Sequence, residues 1–262
     1  MLSKREISFL KSLHQKKYRQ EHRLFIAEGS KVVEELLRSG LPVRQVFVTG
    51  EAEYSHPAWL KEIMPPTEVV HITSKELRQI SALTTPHEML AVAAIPDRKF
   101  EPDLAKEKLI LALEDVADPG NLGTIVRIAD WFGIGHILCS EKTVDAYNPK
   151  VVQASMGSLF RVKVYYTDLS AVLAENRDAN GAPVYGTVLE GEDIYKAELT
   201  SNGFILLGNE SVGLSKEIGQ FITQAITIPK GGTRREKSSS PDSLNVAISA
   251  AIVCSEFRRR TL

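Results

Sequence analysis

Residues 109–132 read LILALEDVADPGNLGTIVRIADWF and contain an apolar run, an acidic turn and a second apolar stretch. The run Leu109 to Leu113 is predicted to be a buried strand, because it has no polar residue to face water. Asn121 belongs to the residue types that cap helices, and the residues after it predict a helix to Phe132. A buried strand followed by a helix is the repeating unit of a parallel α/β sheet.

The same alternation continues through the rest of the sequence. Further strands are predicted at 135–138, 162–166, 184–188, 204–207 and 225–228, and further helices at 149–156, 169–175, 215–221 and 244–258. This alternation predicts a mostly parallel sheet that helices cover on both faces. We therefore predict an α/β domain over residues 106–262.

A second, smaller α/β domain is predicted over residues 1–96. Its predicted strands are 24–29, 43–48, 69–72 and 89–95, and its predicted helices are 30–37 and 73–83. Residues 97–105 are largely polar and close to two prolines, which is typical of a linker. A length of 262 residues also favours two domains over one.

The composition is typical of a globular protein, with 43% hydrophobic residues, 25% charged residues and a net charge of −1. The chain lacks the overall basic character that marks many nucleic-acid binders, although residues 1–23 hold seven Lys or Arg against two Glu. The two cysteines lack metal-ligand spacing and favour a reducing compartment. No apolar run approaches the roughly 20 residues that span a bilayer. We expect a cytoplasmic protein without a membrane partner.

Three segments place polar groups at the ends of predicted strands, where open parallel sheets bind ligands. They are Asn121 to Arg127, Gly208-Asn209-Glu210, and Ile228-Pro229 together with Ser243-Leu244-Asn245. Each alone has a simpler explanation: a surface arginine, a glycine-rich turn, and a helix cap at Ser243. The apolar neighbours of Arg127 favour instead an arginine that contacts a phosphate or carboxylate. The glycine spacing matches neither a dinucleotide-binding fingerprint nor a P-loop.

Together and in this order, the three segments resemble the motifs of the SpoU/TrmH family of RNA ribose methyltransferases, in the SPOUT superfamily. Residues 151–160 resemble the helix and turn that follow the family's first motif. Tyr18-Arg19 and residues 25–29 resemble its ribosomal-protein-like substrate-binding domain. The resemblance implies a small N-terminal α/β substrate-binding domain and a C-terminal parallel-sheet SPOUT domain with a trefoil knot.

The resemblance implies methyl transfer from S-adenosylmethionine to a ribose 2′-hydroxyl of RNA, with ribosomal RNA favoured over transfer RNA. The implied catalytic residues are Arg127, Asn121, Glu210 and Asn245. The implied cofactor-binding residues are Thr187, Gly208, Asn209, Ile228, Pro229, Ser243 and Leu244. Arg127 would orient the ribose and its phosphate and stabilise the developing alkoxide, while the other three catalytic residues would hold Arg127 and the substrate in place. No metal is required, because the donor is a sulfonium.

RNA contact is expected from the N-terminal basic segment, chiefly Lys16, Lys17, Arg19 and Arg23, although a solvated helix face also explains such a run. Tyr18 adds a surface for base stacking. The resemblance further implies a homodimer through the closing helix, whose apolar stripe at 244–252 also fits a core helix. The stretch 230–242 is longer than in most relatives, basic and serine-rich, and it fits an added RNA contact, a lid beside the cofactor, or a segment disordered without ligand.

Two other classes of protein remain as alternatives. The first is a non-catalytic RNA-binding or ribosome-assembly protein on the same fold, and the second is an unrelated small-molecule α/β enzyme. The presence of all four implied catalytic residues argues against the first class. The joint occurrence of three segments in order argues against the second.

Overall fold

The computed structural model describes residues 1–55, 63, 66–86, 88–231 and 243–260. The chain forms two compact units, one of Met1–Asp97 with Asp145–Arg161 and the other of Arg98–Val144 with Val162–Leu262. The first segment ends one residue after the predicted domain end at 96. Residues 145–161 differ from the prediction, which assigned them to the second domain.

The first unit is built on a four-stranded mixed sheet in the order β1-β4-β2-β3. Its strands are β1 Leu24–Glu28, β2 Val43–Val48, β3 Glu68–His71 and β4 Met89–Ala94. Its helices, labelled in chain order, are α1 Lys4–Ser12, α2 Lys16–His22, α3 Ser30–Arg38, α4 Gly50–Ser55, α5 Ser74–Ile80 and α7 Pro149–Ser155. Strand β4 runs antiparallel to β1 and β2, whereas β2 and β3 are parallel.

Both faces of β1 are covered, since all five of its residues are buried. On one face Leu24 and Ile26 join a cluster with Leu10 and Leu13. On the other face the ring of Phe25 lies 4.9 Å from that of Tyr147 and 6.0 Å from that of Phe160, centroid to centroid. These aromatic contacts explain why residues 145–161 pack within the first unit.

The second unit contains a six-stranded sheet in the order β10-β8-β9-β5-β6-β7, and every neighbouring pair is parallel. The strands are β5 Leu109–Leu113, β6 His136–Cys139, β7 Lys163–Tyr166, β8 Val184–Asp193, β9 Gly203–Leu207 and β10 Gln224–Thr227. The helices are α6 Pro119–Trp131, α8 Leu169–Asp178, α9 Lys216–Gly219 and α10 Val246–Arg259. The predicted parallel α/β sheet is confirmed.

The core of the second unit lies against the central strands β5 and β9, all of whose residues are buried. Burial on both faces explains their uninterrupted apolar sequences. Because the strands are parallel, the segments that follow β10, β9 and β5 all begin at one edge of the sheet. Among the described residues no helix is long and apolar enough to cross a membrane. The trefoil knot stays a prediction.

Candidate active site

The acidic turn after β5 supplies the cap of α6. Asp118 accepts a hydrogen bond from the backbone N–H of Asn121 at 2.8 Å, and Pro119 occupies the first helical position, where no N–H is needed. The prediction that Asn121 caps this helix is therefore wrong, because Asp118 does so three residues earlier. The Asn121 side chain is left for other contacts.

Three of the four predicted catalytic residues are joined in one chain of side-chain hydrogen bonds. Asn121 Nδ2 donates to Glu210 Oε1 at 3.0 Å, and Asn245 Nδ2 donates to Asn121 Oδ1 at 3.0 Å. Glu210 Oε2 also accepts from the backbone N–H of Ala117 at 3.4 Å. Because an ionised carboxylate only accepts, Glu210 fixes the orientation of the Asn121 amide and, through it, of the Asn245 amide.

Asn245 also caps α10. Its Oδ1 accepts from the backbone N–H groups of Ala247 at 2.9 Å and Ile248 at 3.3 Å, so the predicted cap at Ser243 is wrong. An amide side chain at the start of a helix can bond to the backbone or face the site. That of Asn245 does both, with the oxygen on the helix and the nitrogen on Asn121.

The Arg127 side chain is exposed and makes no hydrogen bond or ion pair with the part of the chain that the structure describes. It lies six residues after Asn121, and six helical residues turn the side-chain direction by about 600°, which leaves the two side chains about 120° apart. The expectation that Asn121, Glu210 and Asn245 hold Arg127 is therefore not met by hydrogen bonds. The guanidinium remains available to an anionic ligand.

Gly208 is required by a close approach of two backbone segments. Asn209 and Gly213 exchange backbone hydrogen bonds of 3.1 and 2.9 Å, and a Cβ at Gly208 would collide with the backbone of Gly213 and Leu214. Both polar atoms of the Asn209 side chain are engaged: Oδ1 accepts from the backbone N–H of Ser211 in the same turn, and Nδ2 donates to the Asp115 carbonyl in the turn after β5 at 2.8 Å. Ligand contacts by Gly208 and Asn209 are therefore expected from their backbone groups.

Three of the predicted cofactor segments belong to neighbouring strands of the sheet: Thr187 lies within β8, Gly208-Asn209 follow β9, and Ile228-Pro229 follow β10. Thr187 donates its hydroxyl to the Leu206 carbonyl at 2.7 Å and so ties β8 to β9. Residues 187–191 have no partner in the ladders with β9 and β10. The pairing of β8 with β9 ends at Gly186, and its pairing with β10 is interrupted from Gly186 to Glu192. Leu189 in this stretch is 73% exposed.

This arrangement fits an adenosine-containing cofactor. Backbone groups outside the sheet ladder can bond to the polar edge of adenine, and an exposed leucine can cover its apolar face. Ile228 and Pro229 follow β10, while Ser243 and Leu244 precede α10, and all are at least partly accessible. The sequence had not singled out Leu189, although it follows Thr187 by only two residues.

The predicted apolar stripe at 244–252 is partly exposed on α10, and an exposed apolar side chain on α6 was missed; we call the exposed side of these two helices the α6/α10 face. Trp131 on α6 is 85% exposed and Ile248 on α10 is 52% exposed, and the two helices pack against each other. Arg127 shares the exposed face of α6, because residues four apart lie side by side on a helix. The four-residue spacing of Arg127 and Trp131 could have indicated from the sequence that both side chains lie on one face of α6.

In the first unit the structure corrects one predicted RNA contact. Arg19 is 2% exposed, and its Nε and Nη2 donate to Asp145 Oδ2 at 2.9 and 2.6 Å. The predicted role of Arg19 is therefore wrong, whereas Lys16 and Lys17 are exposed. Arg23 is also exposed and pairs with Asp97 at 3.2 Å. Of the basic stretch 230–242, residues 232–242 lie outside the described residues.

The chain belongs to the SpoU rRNA Methylase family, which it matches over residues 108–255. Residues 4–91 match the MRM3-like substrate binding domain. Among curated relatives, the 23S rRNA (guanosine(2553)-2′-O)-methyltransferase RlmP of Bacillus subtilis is 30% identical over 95% of this chain and 94% of that protein.

Solved structures agree with this assignment. A TrmH-family protein from Porphyromonas gingivalis is 40% identical, covers 99% of both chains and superposes with a TM-score of 0.86. The SpoU methyltransferase AviRb from Streptomyces viridochromogenes, in complex with the cofactor AdoMet, is 25% identical and has a TM-score of 0.85, over 99% of this chain and 98% of that chain. The predicted family and its α/β SPOUT fold class are confirmed.

Proposed function

We propose that the protein transfers a methyl group from S-adenosylmethionine to a ribose 2′-hydroxyl of ribosomal RNA. The observation that carries the proposal is the hydrogen-bonded chain of Asn245, Asn121 and Glu210 at the strand ends of a SpoU-family sheet. RlmP is named for 2′-O-methylation of 23S rRNA, and AviRb binds AdoMet. These relatives favour an enzyme over the non-catalytic RNA-binding alternative.

The cofactor is proposed to lie against the ends of β8, β9 and β10. Thr187, Gly208, Ile228 and Leu244 would hold it mainly through backbone groups, with Asn209, Pro229 and Ser243 beside it. When bound, S-adenosylmethionine supplies an electrophilic methyl group on a sulfonium. Exposed Leu189 would cover part of the cofactor and exclude water.

Arg127 is proposed to act on the RNA. A guanidinium stays protonated in proteins, so Arg127 would serve as a cation that binds the nucleotide's phosphate and stabilises negative charge developing on the ribose oxygen. Its exposure and its lack of a partner among the described residues support this role. Asn121, Glu210 and Asn245 would fix the local backbone and orient the ribose rather than hold Arg127.

A homodimer through the α6/α10 face is proposed as the working form. Large exposed apolar side chains on neighbouring helices are typical of an association surface. Trp131 and Ile248 meet this description, and Arg127 lies on the same face of α6. A second copy would therefore cover the apolar side chains and border Arg127.

The remaining proposals concern organisation and location. Residues 1–96 are proposed to bind RNA and residues 97–105 to link the domains. Residues 106–262, apart from the segment 145–161 that packs within the first unit, are proposed to form the knotted methyltransferase domain. Both cysteines are free and buried, which suits a reducing compartment, and the cytoplasm is the proposed location.

The direct test is methyl transfer to ribosomal RNA from cells that lack the gene. We expect transfer from radiolabelled S-adenosylmethionine and a digest containing 2′-O-methyl nucleoside. Arg127→Ala should lower kcat by about 100-fold or more, which is typical of losing one transition-state charge contact. Cofactor affinity, measured by calorimetry, should stay unchanged in this variant.

Transfer RNA from the same cells serves as the competing substrate. Transfer to transfer RNA alone, or a methyl group on a base, would contradict the proposed activity. Full turnover by Arg127→Ala would remove this residue from the mechanism.

A further inference from the structure

Two aromatic rings on α2 stand parallel and lie next to each other. The ring planes of Tyr18 and His22 differ by 11°, and their centroids are 6.5 Å apart. This separation exceeds the about 3.4 Å rise between stacked nucleotides. The two rings therefore form at most a loose offset stack, and neither ring is fully buried.

The pair is supported from below. Phe9, which packs against the core of the first unit, meets His22 edge-on at 5.1 Å between centroids. Arg19 lies between the two residues in sequence and anchors α2 from its buried side, through Asp145 and through the Leu13 carbonyl at 2.9 Å. Helix α2 thus presents Tyr18 and His22 on a fixed support, which lowers the entropy lost when a ligand binds.

Positive charge borders the rings. Lys17 places Nζ 5.6 Å from the centre of the Tyr18 ring, and Lys16 is exposed at the start of the same helix. Aromatic faces beside lysines are the combination that binds single-stranded nucleic acid: the bases stack on the rings and the phosphates meet the ammonium groups.

We propose that Tyr18 and His22 form a stacking site for unpaired bases of the RNA substrate. The inference rests on the proposed function, because it takes RNA as the ligand. It adds that the first unit recognises a loop, bulge or single-stranded end, since bases within a duplex do not expose their faces. Lys16 and Lys17 then contact the phosphates of the same strand.

Stacking and charge contacts give different salt dependences. Tyr18→Ala should weaken binding of a single-stranded oligoribonucleotide roughly 5- to 150-fold, as expected from about 1–3 kcal/mol per stacked base. It should leave the slope of log affinity against log salt unchanged. Lys16→Ala should instead reduce the magnitude of that slope by about 0.7, the value for one phosphate contact on a single strand.

The measurement is fluorescence anisotropy with the full chain, using a labelled single strand and a blunt duplex of equal length. Tyr18→Phe should bind as the wild type, because it keeps the ring. Tyr54→Ala is the matched control, since Tyr54 lies on α4 of the same unit and is 90% exposed. Equal losses for strand and duplex, or wild-type affinity in Tyr18→Ala, would overturn the stacking site.

A second measurement needs no change at Tyr18. A single strand carrying 2-aminopurine should lose fluorescence on binding the wild-type protein, and His22→Ala should restore most of it. Unquenched 2-aminopurine on the wild type at saturation would also overturn the proposal. The proposed methyl transfer is tested separately, by cofactor calorimetry and turnover. Quenching without methyl transfer would contradict the proposed function alone, and methyl transfer without quenching would contradict the stacking site alone.

Discussion

Asn245 and Asn121 are hydrogen-bonded through their side-chain amides at 3.0 Å, although 124 positions separate them in the sequence. The bond connects the cap of α10 to the first turn of α6. The same Asn245 side chain also accepts hydrogen bonds from the backbone N–H groups of Ala247 and Ile248 in the first turn of α10. One residue therefore starts a helix and orients the site.

These two roles can be separated with variants of Asn245. Asn245→Asp keeps an oxygen for the cap but replaces the donor toward Asn121 with an acceptor. Asn and Asp cap helices about equally well, so stability should stay within about 0.5 kcal/mol, whereas Asn245→Ala should lose about 1 kcal/mol. Both variants should lower kcat by about tenfold or more, because Asn121 Oδ1 loses the hydrogen-bond donor that Asn245 Nδ2 supplies. Urea denaturation and turnover measure the two effects, and full activity in Asn245→Asp would exclude the network from catalysis.

The α6/α10 face makes a prediction about association. Ile248→Asp places a charge among exposed apolar side chains and should convert a dimer to a monomer without unfolding it. Light scattering after gel filtration gives the mass. Tyr195→Asp, a half-exposed aromatic position elsewhere on the second unit, should stay dimeric. A monomeric wild-type protein would exclude the proposed dimer.

The Arg19–Asp145 pair makes a prediction about stability. Arg19→Met or Asp145→Leu leaves one charge buried without its partner and should cost about 3–5 kcal/mol, while the double variant should recover much of that loss. The exposed pair of Arg23 and Asp97 is the control, and Asp97→Ala should cost at most about 1 kcal/mol. Urea unfolding measures each variant. Additive losses in the double variant would contradict a coupled pair.

Glu256 makes a prediction about acid stability. Hydrogen bonds from Arg259 and then Arg260 hold the pKa of this buried carboxyl at about 2, below its usual 4.5. A lowered folded pKa stabilises the fold above pH 4.5, and this stabilisation is lost as pH falls from 4.5 toward 2. Glu256→Gln should therefore have a lower Tm than the wild type at pH 7, and the difference should shrink below pH 4.5. A difference that is constant with pH would contradict the assignment.

Features of the fold that have local causes could be predicted from the sequence. The apolar runs Leu109 to Leu113 and Phe204 to Leu207 predict buried strands by themselves, and both strands are found. The cap of α6 was misplaced, because Asp118 and Asn121 are both capping residues. Pro119 decides between them by taking the first helical position.

Features that depend on distant contacts could not be predicted. Nothing near Arg19 indicates that it faces inward, because its partner lies 126 positions away. The packing of Phe25 on Tyr147, which brings residues 145–161 into the first unit, is equally non-local. At the site, the family resemblance placed Asn121, Glu210 and Asn245 in one group, and the structure joins them by hydrogen bonds. The Arg127 side chain points away from them because it lies about 120° around α6 from Asn121.

The contribution of α10 to the site has a consequence for biosynthesis. Synthesis runs from the N-terminus, so Asn245 and the helix that it caps are made after every other described part of the site. Until this helix docks, Asn121 lacks its second hydrogen-bond partner. A nascent chain lacking residues 245–259 would therefore have the sheet and the guanidinium of Arg127 but not the complete proposed site, so we expect methyl transfer only after this helix has been made.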